Sequence, residues 1–559
     1  MTGPINTADI SYATVCSSSS SPFTTAAAAA AARPPFFTVL QSVFIPQPGT
    51  RISRTVMMYL CLFLILTTLV AVGSYLTLKL VCHVIGTQIR NMSQARRSSV
   101  LSTYKPKDKN SKRPIIAGFF HPYCNAGGGG ERVLWEAVHC TLAAYPQVIC
   151  AVYTGDVDVT KSEIIANVSR RFEIELDETR VEFVFLTRRD LVSAARWPRV
   201  TLLGQAMGSI ILAYEAIQQL VPDIFIDTMG YAFTYPIVSL LLGIPVAAYV
   251  HYPMISTDML GKLSLNRQLP KFMYWCFFAL LYGIAGSFAD IVMANGVWTY
   301  RHIHSVWWIN RLFSKIHDRS KKLDYVILYP PCATDELVRF DVSAPRRPVV
   351  LSIAQFRPEK RHEIIISEFA KYTETSNDTG LASLVLIGSV RDQRDRDRVA
   401  KLRNLVSSLG IESRVEFILD AKWDVVKEYL KTSSIGVNAM WNEHFGIGVV
   451  EYIAAGLIPI VHNSGGPKLD IVLPVDDQPI GFHFTTKDDE LSYSESCQSL
   501  ATCLDKALSL TSQEAIGYRT RSQLAADKFS TANFDSGWLE RMQVLLMIEQ
   551  YRYVERISR

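Results

Sequence analysis

The chain has 559 residues, 49% hydrophobic and 19% charged, which excludes a wholly disordered polymer and leaves apolar material for several buried cores. Net charge is +5, yet residues 1–112 hold eleven Lys/Arg against two Asp/Glu, so the rest is mildly acidic, the reverse of a nucleic-acid-binding distribution. Ten cysteines stand singly, without CxxC pairs or His/Cys ligand spacing; a disulfide scaffold or structural zinc is not expected, and a reducing compartment fits.

Residues 1–54 read as a disordered tail. Ser17 to Ser21 and Ala26 to Ala32 are homopolymeric, Pro34-Pro35 follows, and such a segment buries too little to offset its ordering entropy. A transit peptide is the rival reading, because acids are scarce there. Thr55 to Leu78 then runs 24 residues without a charge. At about 1.5 Å per residue that makes roughly 36 Å of helix, enough to span a hydrocarbon core of about 30 Å. A membrane anchor is therefore expected over 55–82, followed by a basic, solvated tether over 83–112. Residues 79–113 contain nine Lys/Arg and the equal window 20–54 contains three. Positive residues stay in the cytoplasm, so the large C-terminal part should be cytosolic, with the tether free to lie against anionic lipid.

Beyond the tether, short apolar runs alternate with helical segments. PIIAGFF (114–120), QVICAVYTG (147–155), VEFVFL (181–186), DIFIDT (223–228) and IPVAAYVHYP (244–253) predict strands. A second series follows the Pro-rich joint YPPCATDEL (329–337): PVVLSIAQF (348–356), ASLVLIGSV (382–390), SRVEFIL (413–419), SSIGVNAM (433–440) and IPIVHN (458–463). Near-continuous Val/Ile/Leu runs separated by helices imply parallel sheets covered on both faces. The expected α/β architecture is two Rossmann-like domains, 113–340 and 341–528, facing a cleft, with a C-terminal helix over 529–559 packing back on the first. Ligands should bind beyond the carboxyl ends of the strands. Phe272 to Ala289 is uncharged and aromatic. It suits a helix in the membrane interface or along an acceptor groove, because a second crossing would divide the two domains.

Three loops carry the chemistry. HPYCNAGGGGERV places Gly127 to Gly130 between a strand and a helix, where backbone amides can approach a phosphate. It is neither GxGxxG nor a P-loop, and alone it is as often plain loop as phosphate cradle. AQFRPEKRHE (354–363) puts Arg357 and Lys360 just past a strand end, suited to a diphosphate, with a solvated charge run as the plain alternative. WNEHFGIGVVEYIAAG (441–456) spaces Glu443 and Glu451 eight apart, so that both can face one ligand, with Phe445, Gly446 and Ile447 offering amides at a helix start. NSGGPKLDIV (463–472) adds Gly465 and Gly466 at the same sheet edge. Asp156-Val-Asp158 and Asp395-Arg-Asp397 mimic a metal motif; the latter reads as a solvated helix face, and no metal is expected.

Taken together, these motifs resemble the retaining GT-B glycosyltransferases that use nucleotide sugars. GFFHPYCNAGGGGERVLWEAV, YVHYPMIS, QFRPEK and NEHFGIGVVEYIAAG are similar to the branch acting on dolichol-diphosphate-linked oligosaccharide, over roughly residues 55–550. The resemblance implies α-1,2-mannosyl transfer from GDP-mannose, adding the fourth and fifth mannoses on the cytosolic face of the endoplasmic reticulum. It implies no further cofactor, and association with the membrane and with other mannosyltransferases of the pathway. It also implies that Glu451 binds the ribose and that Glu443 contacts the donor sugar. Arg357 and Lys360, with amides near Gly129, Gly130, Gly465 and Gly466, would neutralise the leaving diphosphate. His251 matches a cleft histidine near the sugar. Ala354 and Gln355 stand where many relatives have Gly-Arg, and Asp470 where a Glu often follows Gly-Gly. Relatives are thought to retain configuration by front-face attack, the leaving diphosphate assisting deprotonation of the acceptor. The alternative is a membrane-anchored scaffold of the same fold without catalysis; a soluble storage-polysaccharide synthase is disfavoured by the anchor.

Overall fold

The computed structural model describes residues 54–104, 113–261, 269–307, 324–375, 381–486 and 498–558. The tail expected over residues 1–54 lies outside them except for Arg54, as does the end of the expected tether at 105–112. Residues up to Lys79 form one compact unit and Leu80–Arg559 a second. In the first, the described residues are helical, within the helix Arg54–Thr103, and the side chains of Met57, Met58 and Tyr59 and the apolar ones from Cys61 to Leu78 are exposed. This stretch is long and apolar enough to cross a membrane.

Within the second unit, the solvated tether is corrected. The chain stays helical to Thr103, and Ile89, Ser93 and Val100 are buried. Arg97 Nη2 donates to both Asp223 oxygens at 2.8 Å, and Arg96 bonds Glu182 at 2.9 Å. These cations serve the protein rather than solvent because carboxylates distant in sequence meet them.

The first sheet has seven parallel strands in the order β3-β2-β1-β4-β5-β6-β7. Its strands are β1 Ile115–Phe120, β2 Val148–Thr154, β3 Val181–Phe185, β4 Ile224–Asp227, β5 Val246–Val250, β6 Ile291–Ala294 and β7 Asp324–Ile327. Every residue of β2 and β5 is buried, as their unbroken apolar runs require when helices cover both faces. One face carries the helices Thr201–Gln219 and Leu269–Gly286; the other carries Gly129–Ala144 and the C-terminal helix Thr531–Ser558, which inserts Phe534, Trp538, Met542 and Leu545.

The second sheet has six parallel strands, β10-β9-β8-β11-β12-β13: β8 Arg347–Ile353, β9 Ser383–Gly388, β10 Val415–Leu419, β11 Ser433–Asn438, β12 Ile458–His462 and β13 Phe482–Phe484. The chain crosses between sheets twice, and the crossings touch: the Cys332 amide bonds the Phe529 carbonyl at 3.1 Å.

Helix Leu269–Gly286 is two-faced. Phe278, Tyr282 and Ala285 are buried in the first domain, while Leu269, Met273, Phe277, Leu280 and Ile284 form an exposed stripe at helical spacing.

Candidate active site

A cleft of about 990 Å³ opens between the sheets, walled by residues at the carboxyl ends of strands from both. On the first-domain side, β1 leads into the glycine turn, where Gly127 has φ +87, and Gly128 caps helix Gly129–Ala144. Glu131 accepts the Gly128 N–H at 2.5 Å, and its other oxygen lies 3.4 Å from His121 Nε2. Burial pushes the Glu131 carboxyl up, but His121 and the Gly128 amide outweigh it and hold it below the usual range. Gly129 and Gly130 sit in the first helical turn, whose amides lack an intrahelical carbonyl. A Cβ on Gly129 would meet the tip of the Ile447 side chain across the cleft, which would have to turn aside, so the two walls approach closely here.

His251 follows β5. Its Nε2–H donates to the Thr228 carbonyl at 3.1 Å, which leaves Nδ1 as an acceptor. Burial, with the neighbouring His121, lowers its pKa to about 4, so it is neutral at pH 7. Thr228 is fixed by the turn after β4, where buried Asp227 accepts from Tyr235 Oη at 2.6 Å and the Met229 amide at 2.9 Å.

On the second-domain side, Lys360 Nζ and Glu443 Oε2 form an ion pair at 2.5 Å. Lys360 also touches Met440 Sδ at 3.2 Å, and Asn438 Nδ2 lies 3.5 Å from the same Glu443 oxygen. The two residues expected to divide between diphosphate and sugar thus meet each other at the cleft wall. Arg357 lines the cleft with Nη1 3.7 Å from Glu359, and its Nε is buried without a hydrogen bond among the described residues.

Gly446 adopts φ +109 and caps helix Ile447–Ala454, a backbone state a side chain would strain. The Phe445 side chain is buried against Tyr329 and Phe529, so this residue offers the cleft its backbone. Glu451 stands one turn beyond Ile447 and lines the same cleft. Among the described residues its carboxylate has no hydrogen bond or ion pair. Burial raises its pKa to about 7, against the opposing pull of Arg132.

Gly465 and Gly466 are brought elsewhere: neither lines the cleft. They pack behind the Glu443 loop, the Gly466 amide donating to the Glu443 carbonyl at 2.7 Å, and a Cβ on either would strike the 443–445 backbone. Asp470 is buried and accepts from the Val297 amide at 3.1 Å and Tyr329 Oη at 3.0 Å, joining the two domains. Asp156 is held by Arg189 and Thr154, and Asp395 is buried on Arg391 rather than solvated. The sequence reading passed over Glu131, whose carboxylate supplies the Glu half of a capping box to the Gly128 amide, and Asn295 at the end of β6, whose Oδ1 is buried without a partner among the described residues.

Residues 114–307 match the family described as the ALG11 mannosyltransferase N-terminus, and residues 334–507 match glycosyl transferases group 1. The chain is 46% identical over 459 residues to the GDP-Man:Man(3)GlcNAc(2)-PP-Dol alpha-1,2-mannosyltransferase of Neurospora crassa, covering 78% of this chain and 80% of that protein. It is 41% identical to the mouse protein of the same name, covering 83% and 93%. Solved structures share the fold: the Anabaena protein Alr3699/HepE, at 15% identity and TM-score 0.50, covers 77% of this chain and is covered in full. An alpha,alpha-trehalose 6-phosphate synthase from Burkholderia multivorans, at 13% identity and TM-score 0.55, covers 78% of this chain and 99% of its own. The two Rossmann-like sheets are therefore the GT-B arrangement, and the chain belongs to the family of GDP-Man:Man(3)GlcNAc(2)-PP-Dol alpha-1,2-mannosyltransferases.

Proposed function

We propose that this chain transfers mannose, with retention, from GDP-mannose to dolichol-diphosphate-linked Man(3)GlcNAc(2). It adds the fourth and fifth mannoses in α-1,2 linkage on the cytosolic face of the endoplasmic reticulum. The observation that carries the reading is Glu451, an unpaired carboxylate in the cleft wall, one helical turn from a helix start that can receive phosphate. A carboxylate there accepts two ribose hydroxyls, and its missing partners are what the nucleotide supplies.

The remaining groups follow in register. Amides of the first helical turn at Ile447, and those of Gly129 and Gly130 opposite, face the diphosphate. Lys360 and Arg357 oppose the charge that grows on it as the glycosidic bond breaks. Glu443 holds the Lys360 ammonium and presents its free oxygen to the donor sugar. His251, neutral and accepting at Nδ1, orders a hydroxyl without adding charge. The acceptor hydroxyl attacks from the face the diphosphate leaves, and its proton passes to a leaving phosphate oxygen.

The test is transfer of label from GDP-mannose to a short-chain dolichol-like diphosphate oligosaccharide, with UDP-glucose as competitor. The expected product is extended by α-1,2-mannose and UDP-glucose does not compete. No transfer by folded protein, or equal use of UDP-glucose, overturns the proposal.

A further inference from the structure

The loop that carries Glu443 is gripped from two directions. From its own domain, the Asn442 amide donates to Ser464 Oγ at 2.8 Å and the Gly466 amide to the Glu443 carbonyl at 2.7 Å. From the opposite wall, the flanking residues Asn442 and His444 are held by the first domain. Asn442 Nδ2 donates to Asp258 Oδ2 at 2.9 Å. The His444 ring stacks on Tyr252, centroids 5.3 Å apart, and lies 4.8 Å from Trp298. Asp258 is aimed in turn by His302, whose Nε2 lies 3.4 Å from Oδ2 and whose Nδ1 is 2.7 Å from Thr257 Oγ1. Trp298 and His302 share helix Val297–Val306, whose first amide is capped by Asp470 of the second domain.

A hydrogen bond on one neighbour of Glu443 and two aromatic contacts on the other hold its backbone on both sides. Asn442 sits at φ +50, a left-handed conformation that Asn tolerates. None of Tyr252, Asp258 and Trp298 belongs to the helix that bears Glu451 or to the Lys360 loop.

We infer that Asp258 and Trp298, with Tyr252, are first-domain positioning residues for Glu443. They hold the Glu443–Lys360 pair from across the cleft, so that their loss is read in mannosyl transfer rather than in nucleotide binding. This rests on the reading of Glu443 as a group at the donor sugar.

The experiment compares Asp258→Ala, Asp258→Asn, Trp298→Ala, Asn442→Gly and the pair Asp258→Ala/Asn442→Gly in the full chain. GDP affinity is measured by calorimetry and turnover at saturating GDP-mannose. Asn442→Gly keeps the left-handed backbone accessible while removing the side chain, and so stands in should another variant misfold. Expected are a fall in kcat of about tenfold for Asp258→Ala, Trp298→Ala and Asn442→Gly, and GDP affinity within about twofold of wild type. Asp258→Asn, which keeps an acceptor oxygen, restores most of kcat, and the paired variant is no slower than the worse single one. Unchanged kcat in Asp258→Ala or Asn442→Gly, or additive losses in the pair, overturns the inference. So does a loss of GDP affinity as large as the loss of kcat. Glu443→Ala is run alongside: wild-type turnover there overturns the site reading, whereas slow Glu443→Ala with fast Asp258→Ala overturns the positioning role alone.

Discussion

Glu451 is held against its own preference. Its pKa of about 7 lies above the ordinary carboxylate value, so between roughly pH 4.5 and 7 the folded state holds a proton that the unfolded state has lost. Stability from this group is therefore fully present below about pH 4.5 and is lost as pH rises through 7. Glu451→Gln should unfold a few degrees higher than wild type at pH 8, the gap closing toward pH 5, by scanning calorimetry at both pH values. In the proposed reading nucleotide binding runs the other way, because ribose hydroxyls need an ionised acceptor. GDP affinity should strengthen from pH 6 to pH 8 in wild type and stay flat and weak in Glu451→Gln. Glu451→Ala should lose on the order of 1.5–3 kcal/mol of GDP binding per hydrogen bond removed. Lys360 behaves differently, since the leaving diphosphate gains charge only as its bond breaks. Lys360→Ala should lower kcat far more than it weakens GDP-mannose binding, read from single-turnover rates against calorimetric affinity. Equal losses in both would place Lys360 on the ground-state donor alone.

At the scale of elements, the C-terminal helix Thr531–Ser558 serves the first domain although it follows the second in sequence. Trp538 is 1% exposed, rests on Phe119 and Phe534, and donates Nε1–H to Thr141 at 2.9 Å. Trp538→Ala should cost about 3–5 kcal/mol in chemical denaturation, with fluorescence and activity lost together. Ten strands were legible as apolar runs, most of them because burial on both faces leaves no room for alternation; β10, an edge strand with no buried residue, was legible from its Val, Phe, Ile and Leu alone. β6, β7 and β13 were not: they are three or four residues long, and β6 follows the apolar helix so closely that the two runs merge. The motif loops were legible as a cleft because a parallel sheet delivers every strand end to one edge. The Lys360–Glu443 pair was not, since 83 residues separate the partners. The Gly465-Gly466 signal was genuine but misdirected: the backbone it lets approach is that of residues 443–445, not a ligand. Arg96 and Arg97 read as solvated because charge alone does not reveal that Glu182 and Asp223 await them.

For the whole molecule, those arginines tie the question of topology to the question of folding. Bonded to the first domain, they place residues 90–97 on the same side of any membrane as both sheets. In the proposed topology that side is the cytosol, as the charge bias around the apolar stretch predicts. Protease added to sealed microsomes should degrade the sheets, and glycan on Asn167 would contradict this. The same contacts decide where the chain can be cut. Deleting residues 1–79 removes one compact unit and leaves the other entire, so the product should fold and turn over a water-soluble acceptor analogue. Deleting residues 1–104 also strips Ile89 and Val100 from the first-domain core and takes Arg97 from Asp223, which is 5% exposed and among the described residues keeps Arg113, at 3.3 Å, as its ionic partner. Breaking a buried pair by removing one partner costs about 3–5 kcal/mol, and the uncovered apolar surface adds to it. That is a large part of the roughly 5–15 kcal/mol that stabilises a domain. The longer deletion should therefore melt at least 10 °C below the shorter one, or fail to fold, when followed by far-ultraviolet circular dichroism. Equal melting temperatures would show that the helix from Leu80 to Thr103 is only a tether after all.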